Sequence, residues 1–187
     1  MDSDFYNFKD QHKIGKLAEA TIKKRLEKLY PTDIIKDVSE DPNFFDDDID
    51  FTRLPIDFIG SDKSDRELYE EGKCEQAIEV KGDKWNETGN LFYEIISNVE
   101  FNTAGCHRKT KADTLYHVGS NLKEAYHITN VPEFKKFCEN WIDEQPLYDN
   151  NGRTTKKNVY NDNKVTQGYA IPARLFTDQS WITKVTL

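Results

Sequence analysis

Residues 77–85 read AIEVKGDKW. Ala77, Ile78 and Val80 are what a buried strand requires, and a strand places residues i and i+2 on one face. Glu79 and Lys81 therefore leave the chain on the same side, a carboxylate and an ammonium within an apolar segment. Such a pair has two readings. It is a cross-strand ion pair on a solvated face, worth under about 1 kcal/mol, or it is the centre of a functional site. Ile78 and Val80 imply that the opposite face is buried.

The segments around this strand set the fold class. Upstream, QHKIGKLAEATIKKRLEKLY (11–30) repeats Ile14, Leu17, Ala18, Ile22, Leu26 and Leu29 at helical spacing, and Pro31 stops the helix. Glu19 borders that stripe, and Gly15 is expected to allow close approach. Residues 32–38 read as a strand. Residues 39–48 form an acidic turn whose Asp46 and Asp47 are expected to be solvated. Residues 49–60 read as a strand or hairpin bent near Pro55, and 61–73 as a polar insertion on the surface. Downstream, 91–101 read as a strand, 112–118 as a short helix, 124–128 as a strand, and 132–145 as a helix opened by Pro132. Residues 148–167 read as a flexible loop, and 168–176 as an edge strand limited by Pro172. The order predicts one α/β (α+β) domain over residues 1–187, with a central mixed sheet flanked by helices.

Composition narrows the function classes. No apolar run approaches the roughly 20 residues a membrane span needs, and the polar, acidic N-terminus is unlike a signal peptide. Cys74, Cys106 and Cys138 are odd in number and lack paired spacing, which predicts free thiols in a cytoplasmic protein. His12, His107, His117 and His127 lack metal-binding spacing and are expected to be structural. Net charge is −8, against the basic balance of a nucleic-acid coating protein. Base is nevertheless concentrated locally, in residues 13–28, HRKTK (107–111) and RTTKK (153–157), and local patches set a contact.

Acids recur in order along the chain: Glu19 on the first helix, Asp48 and Asp50 entering a strand, Glu79 on the core strand and Glu94 on the next element. Mg²⁺ takes carboxylate oxygens and water, and the carbonyl of Val80 is a further oxygen between Glu79 and Lys81. A lysine on the same face can orient a water or stabilise charge on a phosphate. That set is what metal-assisted phosphodiester hydrolysis requires.

The ordered stretches DIDF (48–51), EVKGD (79–83), TGNLFYE (88–94) and GCHRKTKADTLYHV (105–118) resemble the PD-(D/E)xK nuclease superfamily, and more narrowly its small phage and prophage nucleases. The resemblance spans roughly residues 10–130. It implies a restriction-endonuclease-like core and an Mg²⁺-dependent endonuclease, with Mn²⁺ able to substitute, acting on DNA that includes branched or junction forms. In it Asp50 and Glu79 are metal ligands, Lys81 is the catalytic lysine, Glu19 an auxiliary acid and Glu94 a supporting acid. Arg108, Lys109 and Lys111 would contact phosphates, and two copies would pair to cut two strands in a bacterial or phage-infected cell. Asp48 and Asp57 compete with Asp50 for the ligand role, and Cys106 stands where the family has an aromatic residue. Trp85 would cap the core or stack on a base. The rival expectation is a catalytically silent nuclease-like module whose acidic surface engages a protein.

Overall fold

The computed structural model describes residues 8–59, 61–83, 88–148, 155–161 and 164–187. Trp85 and residues 149–154 of the expected loop lie outside the described residues, as does the side chain of His12. In chain order the elements are helix α1 (Phe8–Leu29), strands β1 (Asp33–Asp37) and β2 (Phe51–Pro55), helix α2 (Asp65–Glu70), strands β3 (Gln76–Asp83), β4 (Asn90–Asn98) and β5 (Thr103–Ala104), the short helix α3 (Cys106–Lys109), strands β6 (Thr114–Gly119) and β7 (Glu124–Ile128), helix α4 (Val131–Asp143), and strands β8 (Lys157–Asn161), β9 (Lys164–Pro172) and β10 (Ile182–Thr186).

A six-stranded sheet runs β1-β2-β3-β6-β7-β10. Strand β3 is parallel to β6, while its other neighbour β2 is antiparallel, so the sheet is mixed as the sequence predicts. One face packs on α1: Ala18, Ile22 and Leu26 meet Phe51, Ile78, Val80, Tyr116 and Val118 in one core. The other face packs on α4 and a second sheet, ordered β5-β4-β9-β8. There Leu115 and Ile128 join Phe134 and Cys138 of α4 and Leu91, Tyr93 and Ile171 of the second sheet. No described helix is long and apolar enough to cross a membrane.

Four expectations are corrected. Residues 112–118 form strand β6 rather than a helix: all six of its residues are buried between β3 and β7, and a strand covered on both faces shows no alternation to distinguish it from a helix. Residues 168–176 do not form an edge, because β9 lies between β4 and β8. Pro172 is tolerated there as the strand's last residue. Residues 157–161 of the expected loop are strand β8. The apolar stripe of α1 is narrower than its periodicity indicates, since Leu17 and Leu29 are exposed.

Helix α1 meets β3 where Ile14 and Gly15 pass Gly82, and the glycine that allows the approach is Gly82 and not Gly15. A Cβ on Gly82 would come within 2.9 Å of the Ile14 side chain and 3.2 Å of the Gly15 nitrogen, whereas one on Gly15 would meet nothing. This glycine sets how near α1 lies to the strand that carries Glu79. Gly82→Ala should therefore destabilise the protein by about 1–3 kcal/mol, the usual effect of overpacking, while Gly15→Ala should stabilise it by about 0.5–1 kcal/mol as a helix-interior glycine replaced. Urea unfolding of both variants measures this.

Candidate active site

Strand β3 divides its residues between the two cores. Ile78 and Val80 face α1, so Glu79 and Lys81 face the opposite side, where Leu115, the β6 partner of Glu79, packs. The Glu79 side chain is only 4% exposed and that of Lys81 34%, with Lys81 Nζ 3.3 Å from Glu79 Oε1. The pair is thus set into the protein rather than on a solvated face. Burying a carboxylate this deeply costs several kcal/mol unless a cation compensates it.

Asp50 immediately precedes β2 and is fastened to β3 twice. Its N–H donates to the Ile78 carbonyl at 2.9 Å, and its Oδ2 accepts from the Val80 N–H at 2.7 Å. The carboxylate of Asp50 is thereby held against the residue between Glu79 and Lys81. In an extended strand the N–H and C=O of one residue point to the same side, so the Val80 carbonyl opens toward Asp50. Asp48 lies two residues earlier with φ 51°, a left-handed conformation that aspartate tolerates better than most residues. Its carbonyl accepts from Thr110 Oγ1 at 2.9 Å, and its own Oδ2 is buried without a hydrogen-bond partner. Asp57, the third competitor, is exposed in a turn after the far end of β2. Because β2 runs antiparallel to β3, with Arg53 opposite Gln76, Asp57 is carried away from Glu79.

The rest of the acid run is not solvated throughout. Asp47 is buried and forms ion pairs with Lys111, at 2.6 Å, and with Arg66 of α2. That ties the 61–73 segment down. Within it, Ser64 and Glu67 form a reciprocal capping box for α2, and Leu68 is buried.

Glu19 lies near Asp50, and Glu94 lies near Lys81. Glu19, on α1, is largely buried and bridged to Lys16 at 3.0 Å. Its charge acts on the Asp50 carboxyl. Glu94, on β4, accepts from the Cys106 N–H at 3.1 Å, and its charge acts on Lys81. Helix α3 reaches β4 closely because residue 105 is glycine: a Cβ there would lie 2.6 Å from the Glu94 carbonyl oxygen.

The electrostatics follow from this crowding. Burial pushes the Asp50 carboxyl up to about 6, Lys81 and the Val80 N–H oppose the shift, and the charges of Glu19 and Asp48 add to it. Glu79 is raised well above the usual carboxylate range, first by burial and then by Asp50 and Asp48, with Lys81 opposing. For Lys81 burial disfavours the charge, but the Cys106 sulfur, Glu79, Asp48 and Glu94 outweigh it and raise its pKa well above the ordinary value. Lys81 is held as an ammonium.

Two of the three basic residues expected at phosphates are occupied within the chain. Arg108 makes a bidentate contact with Glu139, at 2.9 and 2.8 Å, and Lys111 pairs with Asp47. Lys109 instead donates to the Phe45 carbonyl and lines a cleft of about 240 Å³ with Phe45, Asp48 and Asp50. A neighbouring cleft of about 490 Å³ is lined by Glu19 and, like the first, by Ser39.

Sequence reasoning missed a buried chain behind the site. Glu94 N–H donates to His107 Nδ1 at 2.9 Å, so the neutral imidazole carries its proton on Nε2. That nitrogen lies 2.6 Å from His117 Nε2, and His117 Nδ1 lies 3.3 Å from Asp83 Oδ2, which also accepts from the Phe92 N–H. Burial, with His117 and Lys81 adding, holds His107 well below its ordinary pKa. Both histidines are buried. What spacing could not reveal is that residues 107 and 117 meet, because their contact depends on β6 being a strand beside β3.

Among the described residues no three His, Cys, Asp or Glu side chains already converge as a metal site. The chemistry of the donor set nevertheless fits a hard cation: carboxylate oxygens in excess over the ammonium they share, two of them with raised pKa, and the buried Asp48 Oδ2 without a partner. Searches against family models, curated proteins and solved structures find no match for this chain.

The raised pKa of Asp50 has a consequence for stability. The folded protein holds this proton more tightly than the unfolded chain, whose value is near 3.8. The contribution favours folding fully below that value and is lost as pH rises through about 6, a swing of up to about 3 kcal/mol. Asp50→Asn keeps an oxygen for the Val80 N–H and never ionises. In a chelator it should match the wild type near pH 4 and exceed it by roughly 1–3 kcal/mol at pH 8, measured by urea unfolding at both pH values.

Proposed function

We propose that this protein is a divalent-cation-dependent nuclease that hydrolyses DNA phosphodiester bonds, branched or junction forms among its substrates. The observation that carries the proposal is the Asp50 carboxylate docked on Val80, between Glu79 and Lys81. A second carboxylate placed there adds to the cost of burying Glu79, and a bound cation would offset that cost. Asp50, Glu79 and the Val80 carbonyl would hold Mg²⁺ or Mn²⁺, which when bound supplies Lewis acidity at a phosphate oxygen. Lys81, being held as an ammonium, does not act as a resting base. It donates hydrogen bonds, orienting the attacking water and stabilising the charge that grows on the phosphate. Glu19 and Glu94 flank the ligands and would orient solvent from either side. Asp48 stays the alternative ligand, and Asp57 is too far along β2 to compete. Lys109 would meet the substrate's phosphate, and pairing of two copies would let both strands be cut.

A second reading, a nuclease-like module that binds a protein without cutting, is favoured by one observation: Arg108 and Lys111 are already neutralised by the chain's own acids. Saturation with Mg²⁺ or Mn²⁺ at about 100 times its dissociation constant should stabilise the wild type by about 2.7 kcal/mol, raising Tm by roughly 5–10 °C. Glu79→Gln should abolish that rise. On labelled duplex and junction DNA, Glu79→Gln and Lys81→Ala should each cut at least about 100-fold more slowly. Equal cleavage by all three proteins would overturn the nuclease reading, and no thermal shift together with no DNA binding at low salt would favour the protein-binding one.

A further inference from the structure

The cleft of about 240 Å³ that opens on Asp48 and Asp50 has one wall the chemistry above does not use. Phe45 is 51% exposed and sits on the rim beside Lys109. Exposed apolar side chains are ordinary, but this ring lies on the same cleft as Asp48, Asp50 and Lys109. Phe44, its neighbour, supplies the packing instead, buried against Tyr69 with ring centroids 5.7 Å apart. The backbone of Phe45 is nonetheless anchored: its carbonyl accepts from the Lys109 ammonium, and its N–H donates to the Pro42 carbonyl at 3.4 Å. The ring is thus presented from a fixed turn. Among the described residues Lys109 has no carboxylate partner, so its charge is available at the same rim.

One cleft is therefore lined by an aromatic ring, an ammonium and the acids Asp48 and Asp50. Its volume is below the roughly 300–1,000 Å³ of typical ligand pockets, a size that suits a single planar base and not a base pair. We propose that Phe45 is the base-stacking residue of this site, and that the strand it takes presents an unpaired base there, as single-stranded DNA or the single-stranded arm of a branched molecule. Lys109 binds that nucleotide's phosphate while the ring stacks on its base. The face of an aromatic ring stacks on any base, so the contact selects for unpaired structure and not for sequence. The inference rests on the nuclease reading for what happens to the phosphate, but the binding it describes does not require hydrolysis.

Binding is accordingly the test. Fluorescence anisotropy at low salt would compare wild type, Phe45→Ala and Phe45→Trp on a labelled single-stranded oligonucleotide, the same strand with abasic positions, and a blunt duplex. Phe45→Ala should weaken single-strand binding about 10-fold, Phe45→Trp should restore it, and abasic strand and duplex should bind the three proteins alike. The same pattern on single-stranded RNA would widen the substrate class without moving the site. Unchanged single-strand affinity in Phe45→Ala, or an equal loss on the abasic strand, would overturn the inference. Because Phe45 is exposed, the alanine variant keeps its fold, which its Tm verifies. A positive result combined with uncut DNA would spare this contact and remove the nuclease reading; the reverse would remove only Phe45.

Discussion

The carboxylate of Glu79, buried on a core strand and left with one lysine for company, is the constraint around which the other features are arranged. A lone buried acid is among the most unfavourable side chains a sheet can carry. Here Asp50 is brought onto the same strand, adding negative charge where compensation is already short. Arrangements made for stability alone place opposite charges together, as Asp47 does with Arg66 and Lys111. The contrast within a single acidic run is informative: Asp47 is satisfied by two cations, while Asp48 and Asp50, one and three residues on, add like charge near Glu79 and are satisfied only in part.

The fold supplies this arrangement by giving β3 different company on each side and each face. Its α1 face is a dense apolar core, closed by the contact at Gly82. On its other face Leu115 leads into the α4 core, while Lys81 keeps a partly open position. Along the strand direction, β2 begins at Phe51, so the segment before it is free to fold back and seat Asp50 on Val80. Behind the pair, the chain from Glu94 through His107 and His117 to Asp83 joins β4, α3, β6 and β3. That chain fixes α3, and with it Lys109, relative to the acids.

Much of this was legible in the sequence, for physical reasons that differ by element. Helix α1 and strand β3 were readable because each carries a clear period, and Pro31 marks a helix end. The pairing of Glu79 with Lys81 was readable because alternation fixes faces, while Asp50 stood among three competing aspartates and was favoured by the resemblance alone. Strand β6 was not readable: with both faces covered, Thr114–Gly119 lacks any periodic signal. Strand β8 was hidden by polar composition, and β9 was read only from residue 168 and as an edge, because its partner β8 was taken for a loop. Gly82 was passed over for Gly15 because only the packed structure tells which glycine faces a neighbour. The fates of Arg108 and Lys111 were equally invisible, since their partners Glu139 and Asp47 are set by tertiary contacts and not by sequence distance.

A divalent cation held between Glu79 and Asp50 would make good the lack of positive charge around Glu79. Anomalous diffraction from crystals soaked in Mn²⁺ tests this most directly. A single strong peak is expected within coordination distance of Asp50, Glu79 and the Val80 carbonyl, with Lys81 drawn off Glu79. A peak elsewhere with that space empty, or Glu79 still closed on Lys81 at saturating Mn²⁺, would contradict it.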